Sequence, residues 1–189
     1  MLDNKMSIKQ ICSKEMERYS KIPISFEVKS ILHVSHINKG LGGIQLIEQN
    51  CTPYVKNYDE IEEVHPLNWS KLFNLDEWGI FVIEYNDLYI GGATVTPPMS
   101  KDKKVAVLWD LRIHPDFRGH GLGKDLLKVV YNWVKANNYS RLIVETQNIN
   151  VSACKFYSKM GFTLGTIDIN GYYNSEVAHE TKLLWYLDL

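Results

Sequence analysis

Residues 114–127, HPDFRGHGLGKDLL, set glycines at alternate positions, Gly119, Gly121 and Gly123, between Arg118 and a leucine-spaced run. Each glycine loses more chain entropy on folding than any other residue would. In exchange the backbone is bare, and no Cβ keeps a ligand's oxygen from the amide N–H groups. Where such a stretch leads from a strand into a helix, the free amides and partial positive charge of the helix N-terminus suit an anion, phosphate above all. Arg118 adds a charge that phosphate can share. The stretch therefore reads as a pyrophosphate cradle or as a turn chosen for geometry alone. Two nucleotide-binding alternatives fit poorly. A P-loop ends in Gly-Lys-Ser/Thr, and here Gly123-Lys124 is followed by Asp125. A dinucleotide fold places G-x-G-x-x-G early, with an acidic residue about 20 positions on; here the order is R-x-x-G-x-G, after several strands.

The elements that must hold this turn follow from patterning. VAVLWDLRI, 105–113, is a strand leading into it, and Leu122, Leu126, Leu127, Val130, Trp133 and Val134 form one helical stripe after it. RLIVET, 141–146, is a strand, and NVSACKFYSKM, 150–160, a helix with Asn150 as N-cap and Gly161 as its stop. WGIFVIEY, 78–85, and LYIGGATVTP, 88–97, form a hairpin around Asn86-Asp87. PMSKDKK, 98–104, is a loop. FTLGTIDI and ETKLLWYLDL read as closing strands. Towards the N-terminus, Ile8, Ile11, Cys12, Met16 and Tyr19 lie at helical spacing, so residues 7–20 are expected to be a helix that Pro23 stops. SFEVKSILHV, 25–34, is a strand, NKGLGG a turn, IQLIEQ a second strand, and NWSKLF a helical turn. Residues 53–66, acidic and without a clear period, are expected to be a loop or short helix. The order gives the α/β class: one domain with a mixed, mostly antiparallel sheet flanked by helices.

Bulk properties narrow the functions. The chain has 189 residues, 45% apolar and 23% charged, with a net charge of −1. This is ordinary globular composition, enough for one sizeable core. The balanced charge argues against a nucleic-acid partner. No apolar run approaches the roughly 20 residues of a membrane span. The start, MLDNKMSIKQ, has no apolar signal core, and three scattered cysteines make no disulfide framework. A cytoplasmic protein, monomer or homodimer, is expected. His33 and His36 would face opposite sides of a strand with no third ligand, so no metal is expected. Cys154 reads as a packing residue, having no His–Asp pair to activate it.

Arg118-Gly119-His120-Gly121-Leu122-Gly123 resembles the R/Q-x-x-G-x-G/A signature of the GNAT-type acyl-CoA N-acetyltransferases. Asp110-Leu111-Arg112-Ile113 and Pro115 introduce it as that family does, and Asn150, Ala153, Phe156, Tyr157, Gly161 and Phe162 match its following helix. The likeness is clear over about residues 78–189. Within the family, VETQNINVSACKFYSKMGFTLGTID and LLWYLDL are similar to the streptothricin acetyltransferases, as are FEV at 26–28 and PYVKNY at 53–58. Those enzymes usually carry an acidic residue just before the aspartate of the central strand, where Trp109 stands here.

The resemblance implies a single domain over 1–189, with 1–77 the more variable substrate-side half and 78–189 the acetyl-CoA-binding half, and splayed central strands between which acetyl-CoA lies. Backbone at Leu111, Arg112 and Ile113 would pair with the pantetheine arm, as an added strand pairs with a sheet edge. Amides of Arg118, Gly119, His120, Gly121, Leu122, Gly123 and Lys124 would hold the diphosphate, and Asn150, Ala153 and Phe156 complete the cofactor set. The implied reaction is direct transfer of an acetyl group to a primary amine of a small molecule, such as a streptothricin-like or aminoglycoside antibiotic. Acetylation of a protein N-terminus or lysine, and acyl-CoA binding without turnover, are the alternatives. Tyr157, whose phenol holds a proton at pH 7, would protonate the leaving thiolate. Glu145 or Asp110 would take the ammonium proton; residue types alone leave both open. The acidic residues Asp59, Glu60, Glu62 and Glu63 would attract a cationic acceptor, or form a solvated face.

Overall fold

The computed structural model describes residues 6–98 and 104–189. The loop expected over 98–104 falls largely on residues outside these. The described chain divides into two compact units. One holds the residues up to Phe26, Asn57–Ile143 and Asp188–Leu189; the other holds Glu27–Lys56 and Val144–Leu187. These bounds differ from the halves 1–77 and 78–189, because the long hairpin of residues 27–56 packs with the C-terminal strands.

In the first unit, four strands lie in the order β1 (Met6–Gln10), β4 (Gly79–Tyr85), β5 (Leu88–Thr96) and β6 (Val105–Ile113), every neighbouring pair antiparallel. The β4–β5 hairpin turns at Asn86 and Asp87, whose φ angles of 48° and 64° are those a tight hairpin needs and that short polar side chains tolerate. Helix α3 (Leu122–Ala136) buries Leu122, Leu126, Leu127, Val130 and Val134, the stripe its spacing forecasts, against β4, β5 and β6. Residues 7–20 are not one helix. Met6–Gln10 extends as β1 along β4, with Met6 opposite Tyr85 and Gln10 opposite Phe81. Ser13–Glu15 makes a 3₁₀ turn that leads into Met16–Tyr19, the single α-helical turn α1. The open edge of β4 offered five residues of ladder, and that tertiary pairing outweighed local helical spacing. The acidic stretch after residue 56 forms two single 3₁₀ turns, Tyr58–Glu60 and Glu62–Val64, followed by α2 (Pro66–Leu72).

The second unit carries β2 (Phe26–Ile37, from Glu27 onward), β3 (Gly43–Lys56), the last four residues of β7 (Arg141–Gln147), α4 (Val151–Lys159), β8 (Thr163–Asp168) and β9 (Lys182–Asp188). Strands β7, β9 and β8 are neighbours in that order, and β2 pairs only with β3 in a separate two-stranded ribbon. Asn148 ties the ribbon to the unit. Its backbone carbonyl accepts from the Leu32 amide at 3.0 Å and its Nδ2 donates to the Leu32 carbonyl at 3.1 Å. Its Oδ1 accepts from the Thr181 amide at 2.8 Å. Asn150 caps α4 by accepting from the Ala153 amide at 3.1 Å, and Gly161 (φ 91°) ends it, as expected. No helix among the described residues is long and apolar enough to cross a membrane.

In the first unit the tightest of the close approaches to a glycine is at Gly92. Tyr19 is fully buried, its ring flat on the β5 backbone at Gly92. A Cβ at Gly92 would lie 2.5 Å from Tyr19 Cε2. Gly92→Ala is therefore expected to lower stability by about 1–3 kcal/mol through overpacking, read as a shift in the urea midpoint at unchanged slope.

Candidate active site

At the C-terminal end of β6 the chain makes one 3₁₀ turn, Pro115–Phe117, then runs through the glycines into α3. Gly119 and Gly121 adopt φ of 80° and 84°, the left-handed region that glycine enters without penalty. A Cβ on either would meet no atom within 4 Å, so the backbone faces open space. Gly121 is the N-cap of the 15-residue α3 and has no side-chain acceptor to offer the helix's first amides, of which that of Lys124 donates to the Gly121 carbonyl at 3.0 Å. His120 and Lys124 are exposed at its edge. The Arg118 guanidinium is engaged elsewhere. Its Nε donates to the Ile113 carbonyl at 2.9 Å and its Nη2 to the Ser25 carbonyl at 2.8 Å, and partial burial lowers its pKa. Arg118 therefore fastens the start of the turn to the Ile113 and Ser25 carbonyls.

Along β6, residues alternate between two faces. Leu111 and Ile113 are partly open, while Asp110 and Arg112 are buried. The Arg112 guanidinium donates to both Asp110 oxygens, at 2.8 and 3.1 Å. It also donates to both Asp59 oxygens, at 3.0 and 3.2 Å, and to the Ile22 carbonyl at 3.1 Å. The Tyr19 hydroxyl donates to Asp110 Oδ2 at 2.5 Å and accepts from Thr94 at 3.1 Å. Burial, reinforced by the Asp110 charge, holds the Tyr19 phenol well above its usual pKa. Of the expected cofactor residues, Arg112 thus has only its backbone to offer. Asp110 already accepts three hydrogen bonds.

In the second unit, Glu145 lies on β7 and is exposed. It accepts a hydrogen bond from the Tyr172 hydroxyl at 2.7 Å and stands 3.5 Å from the Lys182 ammonium. Gln147 Nε2 donates to the same Tyr172 oxygen at 2.7 Å. Tyr157 is buried on α4, its ring against those of Phe156 and Phe162, both with centroids 5.3 Å away. Ala153 and Phe156 are partly open on the same helix.

The model of the acetyltransferase (GNAT) family matches residues 44–162. A streptothricin acetyltransferase of Escherichia coli is 39% identical over 145 residues, 76% of each chain. Streptothricin acetyltransferase A of Bacillus subtilis (strain 168) is 40% identical over 81 residues, which span 43% of this chain and 47% of that enzyme. A crystal structure from Bacillus anthracis str. Ames, a protein assigned as a streptothricin acetyltransferase and solved with acetyl coenzyme A, superposes with a TM-score of 0.79. It is 26% identical, over 98% of this chain and 99% of that one. The chain belongs to the acetyltransferase (GNAT) family. The α/β class with a mixed sheet flanked by helices, expected above, is the family's fold and the fold of this chain.

Against the GNAT frame, the partners of the candidate residues are what sequence reading missed. The Asp110-x-Arg112 spacing, which puts both side chains on one strand face, was the available signal for their pairing. Tyr172, lodged in the irregular stretch between β8 and β9, carried none. Cys154 is buried, shares a 3.3 Å contact with the Thr146 hydroxyl, and has its pKa raised by burial, which suits the packing role read from sequence. The glycine turn can be probed directly. Gly121→Ala puts a Cβ where φ is +84°, costing about 1–2 kcal/mol, and occupies space in front of the free amides. A small loss of stability in urea melts and a much larger loss of CoA affinity by calorimetry are expected.

Proposed function

We propose that this chain, an acetyltransferase by family, moves the acetyl group of acetyl-CoA to a primary amine of a small cationic antibiotic of the streptothricin class. The observation that carries the donor side is the uncapped N-terminus of α3 behind two left-handed glycines. Free amides, no Cβ and a helix dipole suit a diphosphate, and β6 leads straight into them. The residues therefore fit CoA: amides of 118–124 for the diphosphate, the backbone of Leu111–Ile113 for the pantetheine arm. The acceptor side rests on likeness to the streptothricin enzymes above.

In the reaction the amine nitrogen attacks the thioester carbonyl carbon, and the C–S bond breaks as the C–N bond forms. The acceptor must first lose a proton, since an alkylammonium has a pKa near 10.4. Glu145 is the better placed of the two carboxylates to take that proton. It is exposed, whereas the Asp110 oxygens are filled by Arg112 and Tyr19. The Tyr172 hydroxyl, donating at 2.7 Å, and the Lys182 ammonium at 3.5 Å fix where the Glu145 carboxylate points. Tyr157, packed against the rings of Phe156 and Phe162, supplies the proton that the CoA thiolate takes up.

A thiol-release assay with acetyl-CoA and a panel of streptothricin, an aminoglycoside and a peptide amine tests the acceptor. Turnover of streptothricin is expected. Turnover of the peptide alone would move the reading to protein acetylation. Tyr157→Phe is expected to lower kcat about 100-fold, with the KM for acetyl-CoA within twofold; an unchanged kcat would remove Tyr157 from the chemistry.

A further inference from the structure

We propose that Trp109, with Phe73 beside it, is the surface on which the cationic part of the acceptor rests; this builds on the acetyl-transfer reading above. Register points to Trp109 first. In the β5–β6 ladder Thr94 pairs with Asp110 and Val95 with Leu108, so Trp109 opposes no residue of β5. It is the extra residue of a β-bulge, and bulges re-aim side chains beside active sites.

Position along the strand points the same way. With the diphosphate at 118–124 and the pantetheine arm running back past Ile113 and Leu111, the thioester end falls towards the start of β6. Trp109 lies two residues before Leu111, about 7 Å along a strand. Its indole therefore stands where the acceptor must meet the acyl carbon.

The ring is packed within an aromatic cluster yet stays partly open. Trp109 packs against Phe73 at 5.3 Å, Trp78 at 5.6 Å and Trp69 at 6.5 Å between centroids. Trp69 and Trp78 are 1% and 7% exposed, whereas Phe73 and Trp109 are only partly buried at the rim of the cluster. A rim of π faces attracts a cation through its quadrupole, and tryptophan does so best. The flanking charge is complementary. Trp69 Nε1 donates to the Val64 carbonyl at 2.7 Å and Asn68 Nδ2 to the Glu62 carbonyl at 2.9 Å, so α2 holds the acidic segment against the cluster. Asp59 of that segment is used by Arg112, while Glu60 and Glu62 remain exposed.

Calorimetric titration of streptothricin into the CoA-saturated protein tests this with wild type, Trp109→Leu and Trp109→Phe. Leucine keeps an apolar side chain and removes the π face; phenylalanine keeps a smaller one. The leucine variant is expected to bind streptothricin about tenfold more weakly, with CoA affinity and thermal midpoint near wild type, and the phenylalanine variant to retain most of the affinity. Equal streptothricin affinity in all three proteins overturns the proposal. So does a phenylalanine variant as weak as leucine, or a loss of CoA affinity matching the loss of streptothricin affinity. If the leucine variant does not fold, Phe73→Leu, which removes the neighbouring π face, takes its place and is read against the same outcomes. Thiol release by wild type judges the acetyl-transfer reading separately. Turnover by wild type with no effect of Trp109 substitution on affinity overturns this inference alone.

Discussion

Arg112 makes five hydrogen bonds: two to Asp110, two to Asp59 and one to the Ile22 carbonyl. Much of the first unit depends on that arrangement. It joins β6 to the segment after α1 and to the first acidic turn, three stretches far apart in sequence. A guanidinium with 1% of its side chain exposed is stable only if every N–H finds an acceptor and the charge is balanced. Here two carboxylates and a carbonyl meet that requirement. Tyr19 then closes the far side of Asp110 and presses on the bare backbone of Gly92. A buried network of this kind is weak evidence for net stability, since desolvation offsets much of the attraction. Its clearer effect is geometric: it allows one placement of β6 against its neighbours.

That placement matters because β6 does two things at once. One face is locked inward by Asp110 and Arg112. The other, through Leu111 and Ile113, stays partly open and leads into the glycine turn. A strand held on one face and free on the other can offer its backbone to an extended ligand without losing its own position. Arg118 extends the same logic past the strand end, spending its guanidinium on the Ile113 and Ser25 carbonyls. What the turn presents beyond Arg118 is backbone, which has no rotamers to lose.

The second unit follows a parallel rule with different chemistry. Asn148 gathers β2, β7 and β9 through both its backbone and its side chain. Two residues on, Asn150 starts α4 and so sets the direction of Tyr157. Glu145 and Gln147, both on β7, share Tyr172. A carboxylate with a fixed hydroxyl donor and a nearby ammonium keeps its orientation.

Local chemistry made much of this legible in the sequence. The glycine turn, the α3 stripe, the Asn86-Asp87 hairpin and the Asn150 and Gly161 caps are short-range devices, decided by backbone sterics and by partners within a few residues. So the α/β class, the turn and the motif helix were readable from residues 78–162 alone. The N-terminal stretch was not, because the helical spacing of Ile8, Ile11, Met16 and Tyr19 carries no sign that Met6–Gln10 will pair with the edge of β4. Nor was the fate of Asp110, Arg112 and Glu145. Whether a carboxylate is free or filled depends on what the fold brings beside it, and Tyr19, Asp59 and Tyr172 arrive from 27 to 91 residues away. The sequence by itself determined where an anion could be held; only the tertiary structure decided which charged groups were left to do chemistry, because burial and pairing are properties of the assembled neighbours.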